Sequence, residues 1–159
     1  MRDDLASLAE DVRELERGGL PPVAAEPFAR ALACYERAEL AYDRARSPEE
    51  LEPATAALAE GGYELARARA AREGREAPER RPPCFFDPRH GPAAREVEWG
   101  PRVVGACQAD TERIERGAEP ETRYLFVDGR PVPHWSAPPA FDAWRCGYYG
   151  RARRGRSGP

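Results

Sequence analysis

Two cysteines, a histidine and an aspartate offer the clearest chemistry in this sequence. The run Cys84-Phe-Phe-Asp-Pro-Arg-His90-Gly-Pro is followed, after a stretch that reads as a β-hairpin, by Cys107-Gln-Ala-Asp110. Zn2+ takes four tetrahedral N, S or O ligands and prefers thiolate and imidazole. Cys107 and Asp110 stand three apart at the start of a predicted helix, so their side chains point the same way. The helix N-terminus favours thiolate and carboxylate there. A loop with two ligands, a hairpin, and a helix whose first turn supplies two more is the order of a treble-clef zinc site. Asp87-Pro88 and Gly91-Pro92 give the first loop its tight turns. The loop spaces its two ligands more widely than the usual zinc knuckle, and Asp is a less common structural ligand. Other readings of the same residues remain open. Cys84 and Cys107 fit buried apolar thiols or a disulfide, and Asp110 fits a plain helix cap.

The remaining candidates carry weaker signals. His134, between Pro133 and Trp135, reads as a strand-edge histidine satisfied by backbone, with a catalytic base or a further ligand as the alternative. Cys146 is an alternative to Asp110 as fourth ligand. A zinc hydrolase would use an open coordination position, with His134 or Asp87 as base. A Cys/His nucleophilic pair needs an orienting group and an oxyanion site, and no Gly-rich nucleophile elbow is present. No G-x-G-x-x-G or Walker loop supports a nucleotide enzyme. Trp99, Trp135, Trp144, Tyr148 and Tyr149 fit packing of a small core better than a ligand cage.

The elements that must position the four residues follow from periodicity. Leu5, Leu8, Val12 and Leu15 place a helix over 3–17, ended by Gly18-Gly19 and Pro21-Pro22. A second helix is expected over 27–46, with Phe28, Leu32, Tyr35, Ala38 and Tyr42 as its stripe. Ser47-Pro48-Glu49-Glu50 reads as a capping box opening a third helix to Glu73, whose face is Leu51, Ala54, Leu58, Gly62 and Leu65. The short connection makes these two helices an antiparallel hairpin. Gly61-Gly62 inside the third helix weakens it unless another helix approaches closely there.

Residues 74–83 are a polar, proline-containing linker. Beyond it, alternation over 96–104 around Gly100-Pro101 predicts one hairpin. Ala109–Arg116 reads as a short helix closed by Gly117. Asp128-Gly129 turns a second hairpin between 123–127 and 131–135, with Pro131 and Pro133 marking an edge strand. Residues 136–150 read as an irregular aromatic segment folding back over the small sheet.

Composition limits the function classes. Leu, Ile, Val and Phe number only 23 of 159 residues, while Ala alone contributes 28. A thin, Ala-rich helical core is therefore expected. All 25 basic residues are Arg, against 28 acidic residues, for a net charge of −3. Residues 1–75 carry 11 Arg against 16 acidic residues, which argues against a broad nucleic-acid face. The tail, 151–159, holds Arg151, Arg153, Arg154 and Arg156 and no acid. It reads as a solvated, disordered segment, with contact to anionic lipid or nucleic acid as the alternative. No apolar run is long enough to span a membrane, and no secretory signal pattern opens the chain.

The segment Cys84–Gly91, the step from Cys107 to Asp110, and Gly129-Arg-Pro-Val-Pro-His-Trp135 resemble a family of uncharacterised actinobacterial proteins. In that family a helical region precedes a CFFNPLHG-type loop, a C-x-x-C step and a VPYF-type strand. The stretch Ala31–Leu65 resembles the helices before that loop, so the likeness covers about 27–150. The all-Arg, Ala- and Pro-rich composition suits a high-GC bacterial genome. The resemblance implies a zinc quartet carried here by Cys84, His90 and Cys107, with Asp110 in place of the second Cys of the step. Many such chains are membrane-associated, with this region outside the bilayer. This chain would then be a soluble version or an excised domain.

The sequence thus predicts an α+β protein, with a helical hairpin region over 1–75 and a small treble-clef-like zinc subdomain with two β-hairpins over 76–150. The expected cofactor is a structural zinc ion, and the expected role is a non-catalytic interaction or scaffolding module with a protein partner. The expected location is cytoplasmic, peripheral to a membrane through that partner or the basic tail. A zinc-dependent hydrolase is the alternative.

Overall fold

Apolar spacing and proline placement set the helices. The structure, a computed structural model, describes residues 1–151. Helix α1 (Arg2–Arg17) buries Leu5, Leu8, Val12 and Leu15, the four residues whose spacing predicts it. After Gly19 in the left-handed region, the turn Pro22–Ala24 leads into α2 (Ala25–Arg44). Helix α2 buries Phe28, Ala31, Cys34 and Ala38. Leu32, expected on this stripe, is exposed instead. The contact line runs through the small residues Ala31, Cys34 and Ala38, which let α3 approach closely.

Helix α3 (Glu52–Arg72) starts later than the capping box implies. Pro48–Glu50 forms a separate 3-10 turn, and Ser47 makes no capping hydrogen bond. The Glu50 carboxylate accepts from the Arg46 N–H at 2.7 Å. Pro53 explains the displacement, since proline is tolerated only in a helix's first turn. Gly61 faces α2 beside Ala31 and Cys34, while Arg37 and Ala41 share a cleft with Pro53 and Ala57, so the two helices run antiparallel. A Cβ on Gly61 would lie 2.9 Å from Leu8 Cδ2 and 3.1 Å from Cys34 Cβ. The glycine is where α1, α2 and α3 meet. Gly62, beside it, faces Gly91 of the following region instead.

After an extended stretch come two antiparallel hairpins and two short helices, which make the chain α+β. Strands β1 (Arg95–Trp99) and β2 (Arg102–Ala106) pair with Val97 opposite Val104. Helix α4 (Gln108–Glu115) follows directly. Strands β3 (Tyr124–Val127) and β4 (Arg130–Pro133) join through Asp128 and Gly129, at φ of 50° and 76°. Both lie in the left-handed region, as the favoured two-residue hairpin turn requires.

Two expectations fail in the last third. Strand β4 ends at Pro133, and His134 opens a 3-10 turn, His134–Ser136, where it is buried. The segment beyond holds a helix, α5 (Asp142–Tyr149), which packs on α3 rather than lying over a sheet. Gly147 makes that crossing possible. A Cβ there would strike Thr55 Oγ1 and the Glu52 carbonyl and lie 2.7 Å from the Ala56 nitrogen.

Two apolar clusters result. The larger joins α1, α2 and α3 with Leu125, Ala137, Trp144 and Tyr148. The smaller holds Cys84, Phe86, Val104, Ala106 and Cys107, with Phe85, Val97, Trp99, Ile114 and Trp135 against it. Buried Asp4 links distant parts. Its carboxylate accepts from Arg123 Nη2 and from Trp144 Nε1, each at 2.8 Å. Among the described residues no helix is long and apolar enough to cross a membrane. Of the basic tail, Arg151 reaches Glu52 at 3.3 Å, and Arg153, Arg154 and Arg156 lie outside the described residues.

Candidate metal centre

Local backbone chemistry builds each ligand position. The Cys84 N–H donates to the Gly91 carbonyl at 2.9 Å, and Pro83 bridges to Pro92, which closes the loop 84–91 at its base. Within it Asp87 caps the turn Pro88–His90 by accepting from the Arg89 N–H at 2.9 Å. Gly91, at φ 82°, then reverses the chain, a conformation that disfavours side chains. Cys107 directly follows β2 and is the N-cap of α4. Asp110, three residues on, is fully buried.

The structure brings together the four residues singled out by the sequence: Cys84, His90, Cys107 and Asp110. One donor atom from each lies within 4.8 Å of all the others. Asp110 Oδ2 is 3.0 Å from His90 Nδ1 and 3.4 Å from both the Cys84 and Cys107 sulfurs. Cys107 Sγ is 3.6 Å from His90 Nδ1. Tetrahedral zinc, with bonds of about 2.3 Å to sulfur and about 2.0 Å to N or O, sets S···O and S···N edges near ~3.5 Å and N···O near ~3.3 Å. The four observed edges fall around those lengths. The four donors are thus close enough together to hold one metal ion.

Burial and close contacts shift the four groups in opposite directions. The Cys107 hydrogen bond lowers the Cys84 thiol to about 5, against a burial penalty and with help from His90. Cys107, which keeps the proton of this pair and is itself buried, is pushed up. Burial opposes charge on His90, yet the Cys84 thiolate and the Asp87 and Asp110 carboxylates raise it to about 9. Burial likewise works against the Asp110 carboxylate. The Glu121 N–H, the two thiols and His90 outweigh it and hold that carboxyl below its ordinary value.

Asp110 is not the helix cap that the alternative reading makes it. Cys107 occupies that position, and its sulfur accepts from the Asp110 N–H at 3.5 Å. The Asp110 Oδ1 atom accepts from the Glu121 N–H at 2.8 Å. Cys84 and Cys107 are free thiols.

The other candidates sit elsewhere. Cys146 is on α5 and outside the four-residue group. His134 Nε2 lies 2.6 Å from the Phe85 carbonyl, and burial lowers the pKa of its ring. Asp87 is clamped by the Arg89 guanidinium, with Nη2 at 2.6 Å. The aromatic residues fill space around the loop. Phe85 stacks on Trp135 at 5.0 Å, and His134 stacks on Tyr149 at 5.4 Å. The Tyr149 hydroxyl donates to the Cys84 carbonyl at 2.9 Å, which ties α5 to the ligand loop. Sequence reasoning missed Glu121 and Arg113, which surround Asp110. Their roles depend on how the 117–122 turn returns, and a polar loop sequence carries no sign of that.

Comparison with known proteins matches no family model, no curated protein and no solved structure.

Proposed function

We propose that the four-residue cluster is a structural zinc site of treble-clef order, and that the chain is a metal-stabilised interaction or scaffolding module. The observation that carries this reading is the set of donor-to-donor distances around Asp110 Oδ2, which suits one tetrahedral ion. The small cluster around Cys84 and Phe86 has few apolar side chains of its own. An ion binding only the folded form would supply the stability such a cluster lacks, because binding free energy becomes folding free energy.

The surroundings favour a closed site over a hydrolytic one. Four protein donors complete zinc's preferred shell, whereas a catalytic zinc keeps one position for water. Both side chains considered as bases have other partners. Asp87 is held by Arg89, and His134 faces the Phe85 carbonyl. Tyr124 and Phe126, two apart on β3, are exposed and face the same side, which gives a protein partner an aromatic patch. Contact with a membrane, in this reading, runs through such a partner or through the basic tail.

The test is metal content of the purified protein with the visible spectrum of its cobalt form. The proposal expects one metal per chain and a tetrahedral cobalt spectrum that added anions leave unchanged. A spectrum that shifts with anions would show an open position and favour the hydrolase. Absence of metal after reconstitution under reducing conditions would end both readings.

A further inference from the structure

We infer that Glu121 is the positioning residue of this metal centre, orienting both His90 and Asp110. The inference rests on the metal reading above. A metal-bound histidine ordinarily donates its second ring N–H to a carboxylate, carbonyl or water, which fixes the tautomer. His90 turns Nδ1 toward Asp110 and the Cys107 sulfur. Its Nε2 faces outward, 3.4 Å from Glu121 Oε2. Asp87 Oδ2 is farther from the same nitrogen, at 4.0 Å, and is already held by Arg89. Glu121 is thus the nearer carboxylate for the Nε2–H.

The same residue also arranges Asp110. Its backbone N–H takes Oδ1, so Oδ2 is the oxygen left toward the thiols. Its Oε1 accepts from Arg113 Nη2 at 2.6 Å, and Arg113 Nη1 lies 3.3 Å from Asp110 Oδ1. Asp110, Arg113 and Glu121 close a ring around the ligand. The turn after α4 makes this reach possible. Gly117, at φ 73°, reverses the chain, and the Ala118 N–H donates to the Arg113 carbonyl at 2.8 Å. Glu121 itself is mostly exposed, at 60% of its side-chain surface, so packing gives no reason for an acid at this position.

The test compares zinc affinity of the full chain, by competition with a chromophoric chelator, for the parent, Glu121→Ala, Glu121→Gln and Glu119→Gln. The backbone N–H to Asp110 survives in all of them. Glu121→Ala should weaken zinc by about ten- to a hundred-fold, the usual cost of losing an outer partner. Glu121→Gln keeps an acceptor for Nε2–H and should lose less. Glu119→Gln removes one exposed acid nearby and should stay within about twofold, as a charge that orients no ligand would. Nitrogen NMR of the zinc form should show His90 bound through Nδ1 with Nε2 protonated. Equal affinity of Glu121→Ala and parent, or zinc on Nε2, overturns this inference and leaves the metal site standing. A parent that binds no zinc overturns both.

Discussion

The two apolar clusters are built by different means. Around α3, three helices and α5 bury Leu8, Leu15, Leu58, Leu65, Trp144 and many alanines against one another. Around the loop 84–91, the buried set is small, and polar side chains stand at its centre. Asp110 is fully buried there, while no comparable group of donors occurs among the described residues of the helices. In the first region stability grows with apolar area removed from water. In the second, thiolates and a carboxylate lie close together, an arrangement that repels itself unless a cation or shared protons hold it. A chain poor in large apolar residues can thus concentrate them in one region and, if the proposed ion binds, stabilise another by coordination.

Metal removal should separate the two regions most sharply. Zinc in such sites contributes an apparent binding free energy on the order of 10 kcal/mol or more, comparable with the whole stability of a domain. A strong chelator, or Cys107→Ser, should abolish the near-ultraviolet circular dichroism of Trp99 and Trp135. Most of the far-ultraviolet helical signal should remain. Loss of both signals together would show that the regions are not energetically distinct.

Acid should act on the same region. Cys107 and His90 hold Cys84 toward its thiolate, whereas His90, raised to about 9, carries a proton near neutral pH that the metal must displace. Cys107, pushed up, holds a second. Affinity therefore falls as pH falls, by on the order of a hundredfold per pH unit for two displaced protons. Zinc competition titrations between about pH 6 and pH 8 measure that slope. A flat profile would remove the thiol and imidazole from the ligand set.

Three substitutions probe the helical region. Asp4→Ala leaves Arg123 buried without its carboxylate partner, at an expected cost of about 3–5 kcal/mol. Chemical denaturation should show it, with zinc affinity little changed. Gly147→Ala forces a methyl group into Thr55 and the α3 backbone. Overpacking of this kind costs about 1–3 kcal/mol, read as a lower midpoint of thermal unfolding and altered Trp144 fluorescence. The smallest effect should come from Arg80→Ala, which removes an exposed pair with Glu60 and a guanidinium over Tyr63. About 1 kcal/mol or less is expected there, from the same unfolding curves.

Local signals made much of this legible. Spacing of Leu5, Leu8, Val12 and Leu15 placed α1, and Asp128-Gly129 placed the β3–β4 turn. The ligand group was legible because Cys and His are rare here, so their order stood out. What escaped notice depends on distant partners. Asp4 looks like any acid in a helix's first turn, and its partners lie at 123 and 144. Helix α5 was hidden by Gly147 and a run of aromatic residues, poor helix formers that packing on α3 and contacts to Asp4 and Cys84 stabilise. Pro53 delayed α3 in spite of a good capping box, because two competing start signals stood five residues apart.

We propose that Cys84, His90, Cys107 and Asp110 hold one zinc ion. Native mass spectrometry of the chain, reconstituted with zinc under reducing conditions, tests it most directly beside Cys107→Ser. One zinc per parent chain and loss of stoichiometric zinc in the variant are expected. A parent without metal, or parent and variant binding zinc alike, would contradict it.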